Sequence, residues 1–215
     1  MHAKDIHAVV RILKAEVTQW QVPVVGHYAD SAFTVLISCL LSLRTQDKTT
    51  HAASERLFQM ARDPQKMADL PTAAIEETIY PVGFYRTKAV NIKKICRILL
   101  SDYDGQVPDD LDELLKLPGV GRKTANLVVT IGYGKPGICV DTHVHRITNR
   151  WGYVCTKTPE KTEMALRQKL PRRYWLVIND LLVAYGQNLC KPISPICSRC
   201  RLRRCCAQTG VKRSR

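Results

Sequence analysis

Four cysteines near the end of the chain have the spacing Cys190-x6-Cys197-x2-Cys200-x5-Cys206, with Cys205 beside the last of them. Thiolates gathered in a compact loop hold either a 4Fe–4S cluster or a zinc ion. Zinc sites more often pair two short C-x2-4-C knuckles, and a single short pair, Cys197 and Cys200, stands here. Disulfides are the third option and fit a reducing compartment poorly. Spacing alone leaves Cys205 and Cys206 competing for the fourth place. Such a group needs no redox role, because it can simply hold together a loop too short to fold alone.

A second segment with chemical content is Leu117-Pro118-Gly119-Val120-Gly121-Arg122-Lys123-Thr124-Ala125. Its glycines suit a turn with unusual backbone angles. Such a turn aims free backbone N–H groups outward at a helix N-terminus, where a phosphate oxygen can be held. Val120 can anchor the turn to the core. Contact with a nucleic-acid backbone positions a protein without reading sequence. Lys123 would lie beside a backbone bound there. A lysine amine can attack a sugar C1′ as the base leaves, giving a Schiff base. Burial near other cations, Arg122 among them, would help keep it deprotonated. Asp141 follows 18 residues later. A carboxylate can stabilise positive charge on the sugar or move protons. On residue types alone, Lys123 can equally be one more phosphate contact and Asp141 a plain N-cap.

The elements that must position these groups read as helices, because nearly every apolar pattern has helical spacing. Ile6, Val9, Val10, Leu13 and Val17 make one face of a first helix. Asp30 and Ser31 can cap a second, apolar almost all round, reaching about Leu43. Asp47 can cap a third, through about Met60. Thr72 begins a short helix with Ile75 and Ile79, and Ile92, Ile95, Ile98 and Leu99 mark a longer one after Lys88. Pro108 precedes a helix holding Leu111, Leu114 and Leu115, and another restarts after Gly121 through Ala125, Val128 and Val129. Asp141 can open a helix to about Arg150, and Thr158-Pro159 another, with proline at its first position. Pro171 precedes the last long helix, ending near Gly186. An all-α protein is expected.

With 215 residues, 45% of them hydrophobic, the chain can bury a sizeable core and is not a disordered tail. Lys and Arg outnumber Asp and Glu by 33 to 19, a formal charge of +14 that suits a polyanionic partner. The longest apolar run, Phe33–Leu43, is broken by Thr34, Ser38 and Ser42 and is too short for a bilayer, so no membrane partner is expected. The first residues lead into no targeting segment, and an intracellular, cytoplasmic, DNA-associated protein is the expectation. Cys39, Cys96, Cys139 and Cys155 stand among apolar neighbours, as small core residues do.

Taken jointly, Leu40-Leu41-Ser42, Gly83-Phe84-Tyr85 with Lys88-Ala89, Leu117–Asn126, Val140-Asp141-Thr142-His143 with Arg146, and the four cysteines resemble the endonuclease III family of the helix–hairpin–helix DNA glycosylase superfamily. The resemblance covers nearly the whole chain, from about Ser31 to Cys206. It implies two all-α domains with a DNA cleft between them. One is a six-helix domain at 25–135 carrying the hairpin. The other combines 1–24 with 136–215 and holds a 4Fe–4S loop. By the same resemblance Lys123 is the Schiff-base lysine and Asp141 the catalytic aspartate. Gly119, Val120, Gly121, Arg122, His143 and Lys191 contact DNA, and Cys206, not Cys205, completes the ligand set. The implied reaction removes an oxidised pyrimidine from duplex DNA and cleaves 3′ to the abasic site by β-elimination. The damaged base must first be flipped out of the stack. The protein is expected to act as a monomer.

Departures from the family pattern concern the groups that enter DNA. Arg44 stands where the family usually has the Gln that fills the gap left by the flipped base; Gln46, two positions away, would face elsewhere. Phe84 occupies the place of an apolar wedge, where an aromatic ring could stack, although a core phenylalanine fits the sequence equally. The loop between Cys190 and Cys197, often basic in the family, offers only Lys191. Related enzymes that act on adenine or mismatched thymine by glycosidic cleavage alone generally lack the nucleophilic lysine, and the adenine type usually has an extra C-terminal domain. A non-catalytic DNA-binding homologue is the remaining alternative.

Overall fold

The computed structural model describes residues 5–20 and 30–215, and the described residues are helical with no strand. The chain divides into two compact units, Val24–Lys135 and Met1–Pro23 with Pro136–Arg215. The anticipated boundary at 24 lies outside the described residues.

In the first unit, α2 (Ala32–Ser42) is the central element, with Phe33 through Leu41 all buried. It starts sharply because Ser31 and Thr34 form a reciprocal capping box. Around it stand α3 (Asp47–Met60), α5 (Thr72–Ile79) and α6 (Tyr85–Asp102). Asp47 is the first helical residue of α3 and not its cap; Gln46 is the N-cap and makes no side-chain bond. The Asp47 carboxylate instead favours the positive end of the helix from inside its first turn. A helix that the apolar pattern does not reveal, α4 (Pro64–Asp69), is capped by Asp63 with Pro at its start. Its last carbonyls are tied to α6 by Lys93, which donates to Ala68 O and Leu70 O. The unit thus holds α4 in addition to the six helices expected. Then come α7 (Leu111–Leu115) and α8 (Arg122–Leu127), which runs on as a π-helical turn at Val128–Gly132.

In the second unit, α1 (Ile6–Val17) buries the five apolar residues expected of it. It packs with α9 (Thr142–Arg150), α10 (Pro159–Lys169) and α11 (Ile178–Asn188) around Trp151, Tyr153 and Tyr185. Burying each such large side chain contributes about 1.5–3 kcal/mol. Thr158 caps α10 through its hydroxyl, which accepts from Lys161 N. After Pro171 the chain first makes a 3-10 turn at Arg172–Tyr174, and α11 starts only at Ile178. Cys39, Cys96 and Cys139 are buried, whereas Cys155 is exposed, contrary to the expectation of a core position. No helix among the described residues is long and apolar enough to cross a membrane.

Candidate functional site

The turn between α7 and α8 has the anticipated form, with one refinement. Gly119 has φ +79°, a conformation that favours glycine, and a Cβ there would meet Asn91 Nδ2 at 2.8 Å and displace that side-chain amide. Gly121 caps α8 with φ −99°, and a Cβ on it would meet nothing within 4 Å. The unusual backbone is therefore confined to Gly119. Val120 is buried and anchors the turn, its N–H donating to Leu117 O at 3.1 Å. Arg122 and Lys123 form the first turn of α8.

Lys123 is exposed, so the burial anticipated for it is not supplied by the protein's own side chains. Behind it, the Cys39 thiol of α2 feels the Lys123 charge, although burial pushes that thiol up to about 12. The lysine thus stands at the surface over an apolar helix, presenting its amine to whatever lies on the hairpin.

Asp141 is the N-cap of α9. Its Oδ1 accepts from His143 N at 2.9 Å and Val144 N at 2.8 Å, which leaves Oδ2 outside the cap. The cap role and a chemical role are therefore compatible in one carboxylate. Its charge reaches the neighbouring groups. Desolvation first, and then Asp141, push the Asp180 carboxyl of α11 up. Burial lowers Arg146, which Asp141 partly opposes. His143 is packed between Arg146, 3.1 Å from its Nδ1, and the backbone of Gly186. Asp180 had no signal in the sequence beyond being an acid near the start of the last helix.

Arg44 and Phe84 are brought together. Phe84 is 62% exposed, so the core reading of this ring is wrong. The Arg44 guanidinium lies 5.6 Å from the centre of the Phe84 ring. Both residues have left-handed backbone, at φ 53° and 58°. Gln46, exposed, is the N-cap of α3. Beneath the pair, Lys88 is 8% exposed and burial lowers its ammonium to about 8. A sequence signal for it exists: Lys88 shares the apolar stripe of α6 with Ile92 and Ile95, where a lysine needs buried partners.

The four cysteines line one cavity with about 410 Å³ of atom-free space, its open mouth included. Cys205 is not part of that lining; its thiol turns to Leu202 O at 3.2 Å. Arg150 organises the loop from beneath. It donates to Cys190 Sγ at 3.4 Å, Lys191 O at 2.7 Å and Pro192 O at 2.6 Å. The Tyr185 hydroxyl lies 3.1 Å from Cys200 Sγ, and Gln208 N donates to Cys206 Sγ at 3.4 Å. Burial pushes the Cys200 and Cys206 thiols up. Among the described residues no three His, Cys, Asp or Glu side chains close on a single-ion centre. Four thiols around one shared cavity are nonetheless a donor set that fits a polynuclear iron–sulfur group.

Comparison with known proteins places the chain among DNA repair enzymes. The model of the HhH-GPD superfamily of base excision DNA repair proteins matches residues 37–172. Endonuclease III of Thermotoga maritima is 50% identical over 181 residues, spanning 84% of this chain and 85% of that protein. A non-covalent endonuclease III–DNA complex matches with a TM-score of 0.87 at 33% identity, covering 97% of this chain and 96% of that one. A trapped endonuclease III–DNA covalent intermediate gives a TM-score of 0.87 at 33% identity and covers 97% of each chain.

Proposed function

This chain belongs to the endonuclease III family of the HhH-GPD superfamily of base excision DNA repair proteins, and from that membership we propose how its residues divide the work. The protein is a bifunctional DNA glycosylase and abasic-site lyase acting on duplex DNA. Lys123 Nζ forms a bond to C1′ as the glycosidic C–N bond breaks, its electrons leaving with the base, which takes up a proton. Loss of the amine proton and opening of the sugar ring give the Schiff base. Removal of a C2′ proton then expels the 3′ phosphate, and water returns the free lysine. Asp141 Oδ2 stabilises the cationic sugar and relays protons. DNA lying over the hairpin completes the desolvation of Lys123.

Gly119, Val120, Gly121 and Arg122 hold a phosphate of the lesion strand, while His143 and Lys191 add backbone contacts. Phe84 wedges into the stack and Arg44 fills the space vacated by the flipped base. The preferred lesions are oxidised pyrimidines. Cys190, Cys197, Cys200 and Cys206 hold a 4Fe–4S cluster, which when bound ties the C-terminal loop into one piece. The protein works as a monomer in an intracellular, DNA-associated setting.

The observation that carries this reading is the surface lysine on the first turn after the hairpin, in a chain whose relative forms a covalent intermediate with DNA. A nicking assay on a thymine-glycol duplex tests it. A 3′ unsaturated aldehyde end, the mark of β-elimination, is expected. Free base released with the strand left intact would instead mean a single-function glycosylase, and no product at all a binding homologue.

A further inference from the structure

Two loops of the first unit present Arg44 and Phe84 to solvent, and neither loop has the conformation its residues would choose. A left-handed backbone at a non-glycine residue costs on the order of 1–2 kcal/mol. Arg44 and Phe84 both have it. Something must hold them, and the contacts converge on one group. Lys88 Nζ donates to Leu41 O at 2.8 Å, Leu43 O at 2.6 Å and Thr45 Oγ1 at 3.2 Å. An ammonium has three donors, so all of them are spent on the α2 end and the loop after it. The two carbonyls belong to the end of α2, where the helix itself supplies no partner. Thr45 Oγ1 also accepts from Gly83 N at 3.2 Å, which brings in the second loop. The two loops press together there, since a Cβ on Gly83 would meet Arg44 O at 2.6 Å.

We propose that Lys88 is a positioning residue for base extrusion. Its buried ammonium locks the Arg44 and Phe84 loops to each other, so that the two side chains enter DNA as one pre-set pair and discriminate the base opposite the lesion. This rests on the reading that Arg44 and Phe84 enter the duplex. Lys88 itself touches no DNA; it acts through Thr45, Gly83 and the carbonyls of α2.

The test compares Lys88→Met, Thr45→Val, Arg44→Ala and Phe84→Ala with the wild-type holoprotein. Two readouts are taken: kcat and KM on a thymine-glycol duplex with each of the four opposite bases, and borohydride trapping on a single-stranded abasic site, which has no partner base and no gap to fill. A loose pair costs orientation in the transition state, so Lys88→Met lowers kcat on duplex by ~10- to 100-fold and flattens the opposite-base profile. Single-strand trapping stays within about twofold of wild type, as expected of a residue remote from the chemistry. Thr45→Val gives the same pattern more weakly, and it decides the matter if Lys88→Met does not fold. An unchanged opposite-base profile in the folded variant, or equal losses on duplex and single strand, overturns the proposal. If Arg44→Ala and Phe84→Ala are themselves indistinguishable from wild type, the reading of that pair falls and the proposal with it. If they are impaired while Lys88→Met and Thr45→Val are not, only the role of Lys88 fails.

Discussion

Around the hairpin, the proposed site side chains stand on helices whose own apolar faces are buried or on loops fastened to such helices. Lys123 rides on α8 against an α2 that is buried from Phe33 to Leu41, and Arg44 and Phe84 sit on loops fastened to a buried ammonium. From Leu189 to Arg215 the means are different. The described regular structure there is one 3-10 turn at Arg203–Cys205, and the buried apolar anchors are Leu189, Pro195 and Leu202. Hydrogen bonds from Arg150 to two loop carbonyls, backbone bonds such as Ala207 N to Trp151 O and Arg215 N to Pro195 O, and four thiols lining one cavity add to these. A site held by a hydrophobic core keeps its shape unaided, whereas a loop gathered around thiols depends on what the thiols bind.

The comparison is most exposed to failure at the cysteines. Cys200→Ser should abolish the brown colour and broad visible absorption of an iron–sulfur protein and open residues 189–215 to protease, a loss of several kcal/mol local to that loop, while 30–135 stays protected. Cys205→Ser, whose thiol lies outside the shared cavity, should keep the colour and change stability by no more than ~0.5 kcal/mol. Equal sensitivity of both halves to Cys200→Ser would break the contrast, and a colourless zinc-loaded wild type would refute the iron–sulfur assignment.

Next in size is Asp141→Asn. Asparagine caps a helix about as well as aspartate, so the melting temperature should hardly move, while glycosylase turnover falls by ~10²–10⁴. Matched losses in stability and activity would reduce Asp141 to a cap. At the hairpin, Gly119→Ala should cost ~1–2 kcal/mol through its left-handed backbone and weaken DNA binding. Gly121→Ala, with open space around it, should do neither; calorimetry and a binding titration on the pair measure the difference. Smallest is Arg122→Ala, expected to lower the slope of log affinity against log salt by ~1 without changing lesion preference.

Much of this arrangement is legible from residue types. The apolar stripe of α1, the Ser31 and Thr158 caps and the Asp141 cap all depend on neighbours within four positions. The four cysteines announce themselves by spacing. Short or non-local features do not. α4 has six residues with Met67 and Pro64 buried, too few to establish a period. Phe84 reads equally as core or wedge because its exposure is set by a left-handed turn and by Arg44, 40 positions away in the chain. The bonds of Lys88 span 43 to 47 positions, beyond the reach of any local pattern.

The central claim is that a surface lysine becomes covalently joined to damaged DNA. Borohydride reduction during turnover on a thymine-glycol duplex, followed by peptide mass mapping, tests it most directly. The account predicts a single adduct on Lys123 that disappears in Lys123→Ala. An adduct elsewhere, or one undiminished in that variant, would contradict it.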